Sequence, residues 1–153
     1  MAISEHVARL RAAVGHELLV LPAVSVLPVD SHGRVLLAWP AGHDDGWHVL
    51  GGAVDPGESP AEAAVREARE EIGTEVSLVR LLGAFGGPNH EILYPNGDKV
   101  AYVVTLYQAE ITSGEPVPDG EELAAARWFT REELPTIRLN PGARAMLSAA
   151  GYL

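Results

Sequence analysis

Apolar side chains recur along this chain at two periods, and each change of period marks a change of element. Val7, Leu10 and Val14 follow Ser4 at helical spacing and Gly15 comes next as a stop, so a short amphipathic helix is expected over residues 4–14. Leu18 to Val29 is a β-rich run that ends in Asp30-Ser31-His32-Gly33, after which Arg34 to Ala38 resumes the apolar pattern. That reads as a hairpin. A short strand around Trp47 to Leu50 runs into Gly51-Gly52 and then Asp55-Pro56-Gly57, a loop whose backbone must approach something closely.

Ser59-Pro60-Ala61-Glu62 forms a capping box with proline in the first helical position, and Gly73 ends the segment, predicting a helix from Pro60 to Ile72. Val76 to Phe85 reads as a strand. Glu91 to Tyr94 and Val100 to Ala109 flank Pro95-Asn96-Gly97-Asp98, whose Asn-Gly step favours a tight hairpin turn. An acidic, Gly- and Pro-containing loop from Ser113 to Glu122 leads to a strand near Ala126 to Phe129 and a capped turn at Thr130 to Leu134. Asn140-Pro141 starts a last helix over residues 141–150. This order of elements predicts an α/β fold with a mixed sheet covered by helices.

Length and composition narrow the functional classes. With 153 residues and no internal repeat, the chain is expected to form one domain over residues 1–153. No apolar run approaches the ~20 residues that span a bilayer, and the N-terminus lacks a secretory layout, so a soluble cytoplasmic protein without a membrane partner is expected. A net charge of −10 with only 11 Lys and Arg argues against a nucleic-acid groove. The chain has no cysteine, so any metal must be held by oxygen or imidazole, and oxygen ligands favour magnesium, manganese or calcium.

On the predicted helix Ala61, Ala64, Val65, Ala68 and Ile72 form an apolar stripe, and Glu67, Glu70 and Glu71 fall together on an adjoining face. Like charges three and four residues apart repel, by about a few tenths of a kcal/mol per exposed pair and by more when partly buried. Arg66 stands four before Glu70 and can pair with it, but one arginine cannot balance three acids plus Glu58; a divalent cation would.

The spacing joins these pieces. Five residues separate Gly52 from Glu58, and seven separate Glu58 from Arg66-Glu67-Ala68-Arg69-Glu70-Glu71-Ile72-Gly73-Thr74. This resembles the Nudix box, G-x5-E-x7-R-E-U-x-E-E-x-G-U, over residues 52–74, with every fixed Gly, Glu and Arg in place; Ala68 and Thr74 stand at aliphatic positions. The wider resemblance to Nudix hydrolases runs from about Leu19 through Leu134. Leu50 stands where a proline often precedes the two glycines, and Trp39-Pro40 where many relatives carry an arginine.

The resemblance implies an α/β/α sandwich around a mixed parallel and antiparallel sheet, and Mg²⁺- or Mn²⁺-dependent hydrolysis of a nucleoside diphosphate linked to another moiety. It implies Glu70 and Glu71 as principal metal ligands, Glu67 as a further ligand or base, the Gly52 carbonyl as a backbone ligand, and Arg66 as the group that orients the acids. A further acid often comes six residues before a tryptophan in the closing strand; here that is Glu122 before Trp128, with Asp119 and Glu121 close enough to substitute. Glu67 and Glu122 are rival general bases. Candidates for contact with the small-molecule nucleotide are Trp39, Trp47, His90, Tyr94 and Asp98. Two competing readings are a nucleotide-sensing or protein-binding module without hydrolysis, and an acidic helix that binds calcium or is merely structural. Ile3 to Val14 and Met146 to Leu153 are candidate apolar surfaces for a homodimer.

Overall fold

The strand Leu19–Pro28 (β1) carries a hydrogen-bonded neighbour on each edge, and this decides the topology. In the computed structural model, which describes residues 3–153, β1 runs parallel to Lys99–Ser113 (β6), with Leu19 opposite Val100 and Pro28 opposite Ala109. Its other edge pairs antiparallel with Leu50–Ala53 (β3), with Ser25 opposite Gly51 and Val24 opposite Gly52. Glu75–Phe85 (β4) joins the far edge of β6, giving the order β3-β1-β6-β4, and Glu91–Leu93 (β5) pairs with the start of β6.

Two expectations are corrected here. The hairpin after β1 closes only locally, by the Val29–Val35 bridge and the Asp30-to-Arg34 turn. Because both edges of β1 are taken, Val35–Pro40 (β2) leaves the main sheet and pairs antiparallel with Leu123–Phe129 (β7) in a separate two-stranded sheet. Second, the two glycines are not a loop after a strand. They lie within β3, and residues 47 and 48 make only isolated bridges.

The helices fall close to their expected bounds because their caps are written in the sequence. Glu5–Val14 (α1) is capped by Ser4. Pro60–Ile72 (α2) begins with the reciprocal Ser59–Glu62 capping box and ends at Gly73 in the left-handed region. Pro141–Ala149 (α3) is capped by Asn140. Alternation along β1 feeds two cores. Ala23 and Leu27 pack in the layer that holds Ala143, Met146 and Leu147 of α3, whereas Val24 and Val26 pack in the layer that holds Ala63, Ala64, Ala68 and Ile72 of α2. Helices therefore cover both faces of a mixed sheet, the α/β/α arrangement expected. Met146, Leu147 and Tyr152 are buried in the chain's own core, so the C-terminal segment does not present them as a dimer surface. No described helix is long and apolar enough to cross a membrane.

Candidate active site

The buried face of α2 is not the purely apolar stripe the sequence suggested. Ala63, Ala64, Ala68 and Ile72 are buried, and Glu67 and Glu71 are buried with them, at 7% and 6% exposure, whereas the Glu70 side chain is mostly exposed. The three acids are thus split in depth.

Arg66 organises them. Its Nε and one terminal nitrogen donate to the two carboxylate oxygens of Glu58, at 2.7 and 2.9 Å, a bidentate pair. The other terminal nitrogen donates to Oε1 of Glu67 at 2.7 Å and Oε2 of Glu70 at 3.1 Å, and a further bond reaches the Ala53 carbonyl at 3.0 Å. Glu58 also accepts from the Asp55 backbone N–H, so one guanidinium ties the loop after β3 to the face of α2. The Arg66–Glu70 pair expected from i,i+4 spacing is present but is the longest of its carboxylate hydrogen bonds; Glu58, brought back by the turn at Gly57, is the closer partner.

β3 supplies the opposite wall. The Gly51 N–H donates to Oε2 of Glu71 at 2.9 Å. A side chain at Gly52 would collide with the Glu67 carboxylate, and one at Gly51, whose φ is 147°, would collide with the Val24 carbonyl. The two glycines therefore admit two different close approaches.

The electrostatics follow from this packing. Burial pushes the Glu71 carboxyl up to about 8, with the Glu67 charge adding to the shift, the Gly51 N–H opposing it, and Glu122 and Asp119 contributing further. Burial also raises Glu67, against the pull of Arg66. Hydrogen bonding to Arg66 holds Glu58 below the ordinary glutamate value, and the same bond drives Arg66 upward.

The late acidic loop is fastened to the end of α2. Val117 N–H donates to the Ile72 carbonyl and Asp119 N–H to the Glu71 carbonyl. The Asp119 carboxylate accepts from the backbone N–H groups of Glu121, Glu122 and Leu123, the last at 2.9 Å, and these bonds lower its pKa. Asp119 is thus engaged in shaping the loop that presents Glu122.

A cavity of about 820 Å³ opens from this region. Gly51, Gly52, Glu71 and Glu122 line it, as do His90 and Tyr94 among the predicted substrate contacts. The structure does not bring the other three there. Trp47 packs edge-on against Phe129 in the core, and Trp39 meets Trp47 and donates to the His43 carbonyl. Asp98 faces His16 and Arg11 of the N-terminal segment, at 2.7 and 3.5 Å. Sequence reasoning missed Tyr102, whose hydroxyl meets that of Tyr94 at 2.8 Å, and the group Asp45, His48 and Asn140 on the cavity wall. Only Asn140 gave a signal, as a helix cap.

The model of the NUDIX domain matches residues 20–150. The chain belongs to the Nudix family. Among curated relatives it is 31% identical over 119 residues to an NAD-capped RNA hydrolase NudC of Vibrio vulnificus, covering 77% of this chain and 41% of that protein. It is 37% identical over 89 residues to a putative 8-oxo-dGTP diphosphatase of Bacillus subtilis, covering 58% of this chain and 53% of that protein. The Nudix chain here therefore spans about half or less of the curated relatives it matches. Among solved structures, a MutT NUDIX hydrolase from Burkholderia pseudomallei superposes with a TM-score of 0.67 at 28% identity, over 86% of this chain and 98% of that one. A UDP-X diphosphatase superposes with a TM-score of 0.66 at 22% identity over 98% of this chain and 71% of that one, a likeness of fold.

Proposed function

We propose that this chain is a Mg²⁺- or Mn²⁺-dependent hydrolase that cleaves a phosphoanhydride bond in a nucleoside diphosphate linked to another moiety. The observation that carries the reading is the one-sided use of the α2 carboxylates. Arg66 takes Oε1 of Glu67 and Oε2 of Glu70, and the Gly51 N–H takes Oε2 of Glu71, which leaves the second oxygen of each without a hydrogen bond among the described residues. No three Asp, Glu or His side chains among the described residues are already drawn together as a ligand cluster. The residues nevertheless fit a hard divalent cation: the donors are all oxygen, and two of the carboxylates are buried with like-charged neighbours whose repulsion a cation relieves.

In this reading Glu67, Glu70, Glu71, Glu122 and the Gly52 carbonyl hold the cation, which supplies a more acidic water and charge neutralisation at the phosphates. Arg66 orients Glu67 and Glu70 and holds the loop at Glu58 against the helix. Glu67, in a buried setting that favours proton uptake, and Glu122, presented by the Asp119-shaped loop, are the two groups positioned to take the proton of the attacking water. The names of the relatives support a nucleotide substrate.

The test is turnover by purified protein with Mg²⁺ or Mn²⁺, and with chelator, on nucleoside triphosphates including 8-oxo-dGTP, ADP-ribose, NADH, dinucleoside polyphosphates, nucleotide sugars and NAD-capped RNA, with products separated by chromatography. Metal-dependent cleavage of an anhydride bond supports the proposal, and the products name the substrate. Absence of metal-dependent cleavage across the panel would transfer the weight to a nucleotide-sensing module.

A further inference from the structure

The cavity that begins at the acids does not end there. It is lined by Gly51 and Gly52 of β3, by Ala23 to Ser25 of β1, by Tyr102 and Val104 of β6, and then by the 3-10 turn Pro88–His90 and the start of α3. Crossing from β3 to β6 covers two strand spacings, about 10 Å. At the far wall His90 is 92% buried by its 8% exposure, and neither ring nitrogen has a hydrogen-bond partner among the described residues. Its ring stacks on Phe85, with centroids 6.3 Å apart and planes at 30°. Gly142, at the N-terminal end of α3, lies close against it: a side-chain carbon there would stand 3.6 Å from Nε2 and 3.3 Å from the Asn89 carbonyl oxygen.

A buried imidazole with both nitrogens unsatisfied is costly, and native proteins seldom keep one without a use. Nothing in the acid cluster needs it. Its chemistry, one N–H donor and one ring acceptor in the neutral form, suits a partner that presents donors and acceptors in a plane. Charge selects further: no Lys or Arg is among the described residues that line the cavity, whereas Glu91, the residue after His90, is, so an anionic group at this end has no counter-charge. Val104, Ala143 and Met146 give the same end apolar walls suited to a flat ring.

We infer that His90 is a specificity residue for the base of the nucleotide: its ring nitrogens are closed off from solvent, and a turn of the ring toward the cavity would give them the polar edge of a heterocycle at the far end as the partner they lack. This rests on the reading of the acid end as the polyphosphate end. His90 selects the base and the acid cluster handles the phosphates.

The test measures binding, so that it does not depend on turnover. Tryptophan fluorescence titrations of the whole chain with AMP, GMP, CMP and UMP, and separately with pyrophosphate plus Mg²⁺, would be run on wild type, His90→Leu, His90→Gln and Gly142→Ala. The expected result is that wild type prefers one monophosphate and that His90→Leu weakens it about tenfold or more. His90→Gln, which keeps a donor and an acceptor, should recover part of the loss. Gly142→Ala, which keeps the imidazole but sets a methyl group against its Nε2 edge, should weaken the same ligand, and no variant should alter pyrophosphate binding. The melting temperature of ligand-free His90→Leu should equal or exceed that of wild type, because the substitution removes an unsatisfied buried group; a merely structural histidine would give a fall. Unchanged monophosphate affinity in His90→Leu, no monophosphate binding by wild type, or a loss shared equally with pyrophosphate would overturn the inference. Monophosphate binding that depends on His90 in a protein without hydrolytic activity would instead refute the proposed reaction and leave this inference standing.

Discussion

Gly52 faces the Glu67 carboxylate so closely that a single added carbon on its Cα would stand 2.7 Å from the Glu67 Cδ. The carboxylate is flexible but is pinned on its other side by Arg66 at 2.7 Å, so it can yield only by loosening that bond. Gly52→Ala is expected to leave a folded protein with metal-dependent turnover reduced by about 10- to 100-fold, the range for loss of a group that positions a ligand. Circular dichroism beside a steady-state assay checks it; full activity would remove Glu67 from the site.

The neighbouring glycine should behave differently. At Gly51 the added carbon meets the backbone of Val24 and Ser25 in the paired strand, and neither can turn aside as a side chain can. Gly51→Ala should therefore cost stability, on the order of 3 kcal/mol or more, through strain and a broken β1–β3 pairing. Urea unfolding of the two variants side by side would show a large loss only at position 51.

Arg66→Lys keeps one charge but gives up the two-pronged grip on Glu58. Removing one partner of a buried pair costs about 3–5 kcal/mol, and retention of a charge at a partly exposed site should hold the loss nearer about 2 kcal/mol. The pH profile provides a second reading. Glu58 is held below its ordinary 4.5 in the folded protein by hydrogen bonding to Arg66, so its contribution is present above 4.5 and disappears as pH falls through the folded value. Wild type should lose stability across that acid window, and Arg66→Lys should lose less there because it begins with less.

In the absence of cation, Glu71 works in the opposite direction. Its carboxyl is raised to about 8 by burial, so stability is full below the unfolded value of 4.5 and declines as pH rises towards and through 8. Glu71→Gln should flatten that decline in thermal melts with chelator, keep the acceptor for the Gly51 N–H, and abolish the added stability that Mg²⁺ or Mn²⁺ gives to wild type. A wild-type melting temperature that does not fall between pH 5 and pH 8, both taken as rough bounds of the window, would contradict the burial argument.

Thr74 offers a gain. It occupies an aliphatic position of the box, is 1% exposed, and its hydroxyl has no hydrogen-bond partner among the described residues. Thr74→Val removes that group at nearly constant volume and should stabilise by about 1 kcal/mol, or roughly 3 °C in melting temperature. Calorimetry decides; a lower melting temperature would mean the hydroxyl is satisfied in solution.

What could be read beforehand was whatever local sequence controls. Ser59, Glu62 and Gly73 fix α2 within its own segment, so its bounds and its run of glutamates were legible, as was the turn at Gly97. Partner choice over long separations was not. Nothing near Val35 to Pro40 says that these residues pair with Leu123 to Phe129 instead of β1; that follows only once β3 and β6 have taken both edges. The periodicity of α2 likewise placed Glu67 and Glu71 beside the buried stripe, whereas β3 packing over the helix puts them inside it. Asp98 looked available in a turn, yet Arg11 and His16 approach it from α1 and the residues just after it.

The fastening of the late acidic loop has a consequence for how this scaffold tolerates change. Val117 and Asp119 are stitched to the last carbonyls of α2, and the Asp119 carboxylate then sets the path as far as Leu123. Chain length upstream of Val117, in the exposed stretch after Ser113, is thereby decoupled from the position of Glu122. A peptide tag or reporter segment grafted there would ride outside the clasp, whereas one extra residue between Asp119 and Leu123 would shift the register of the whole acid wall.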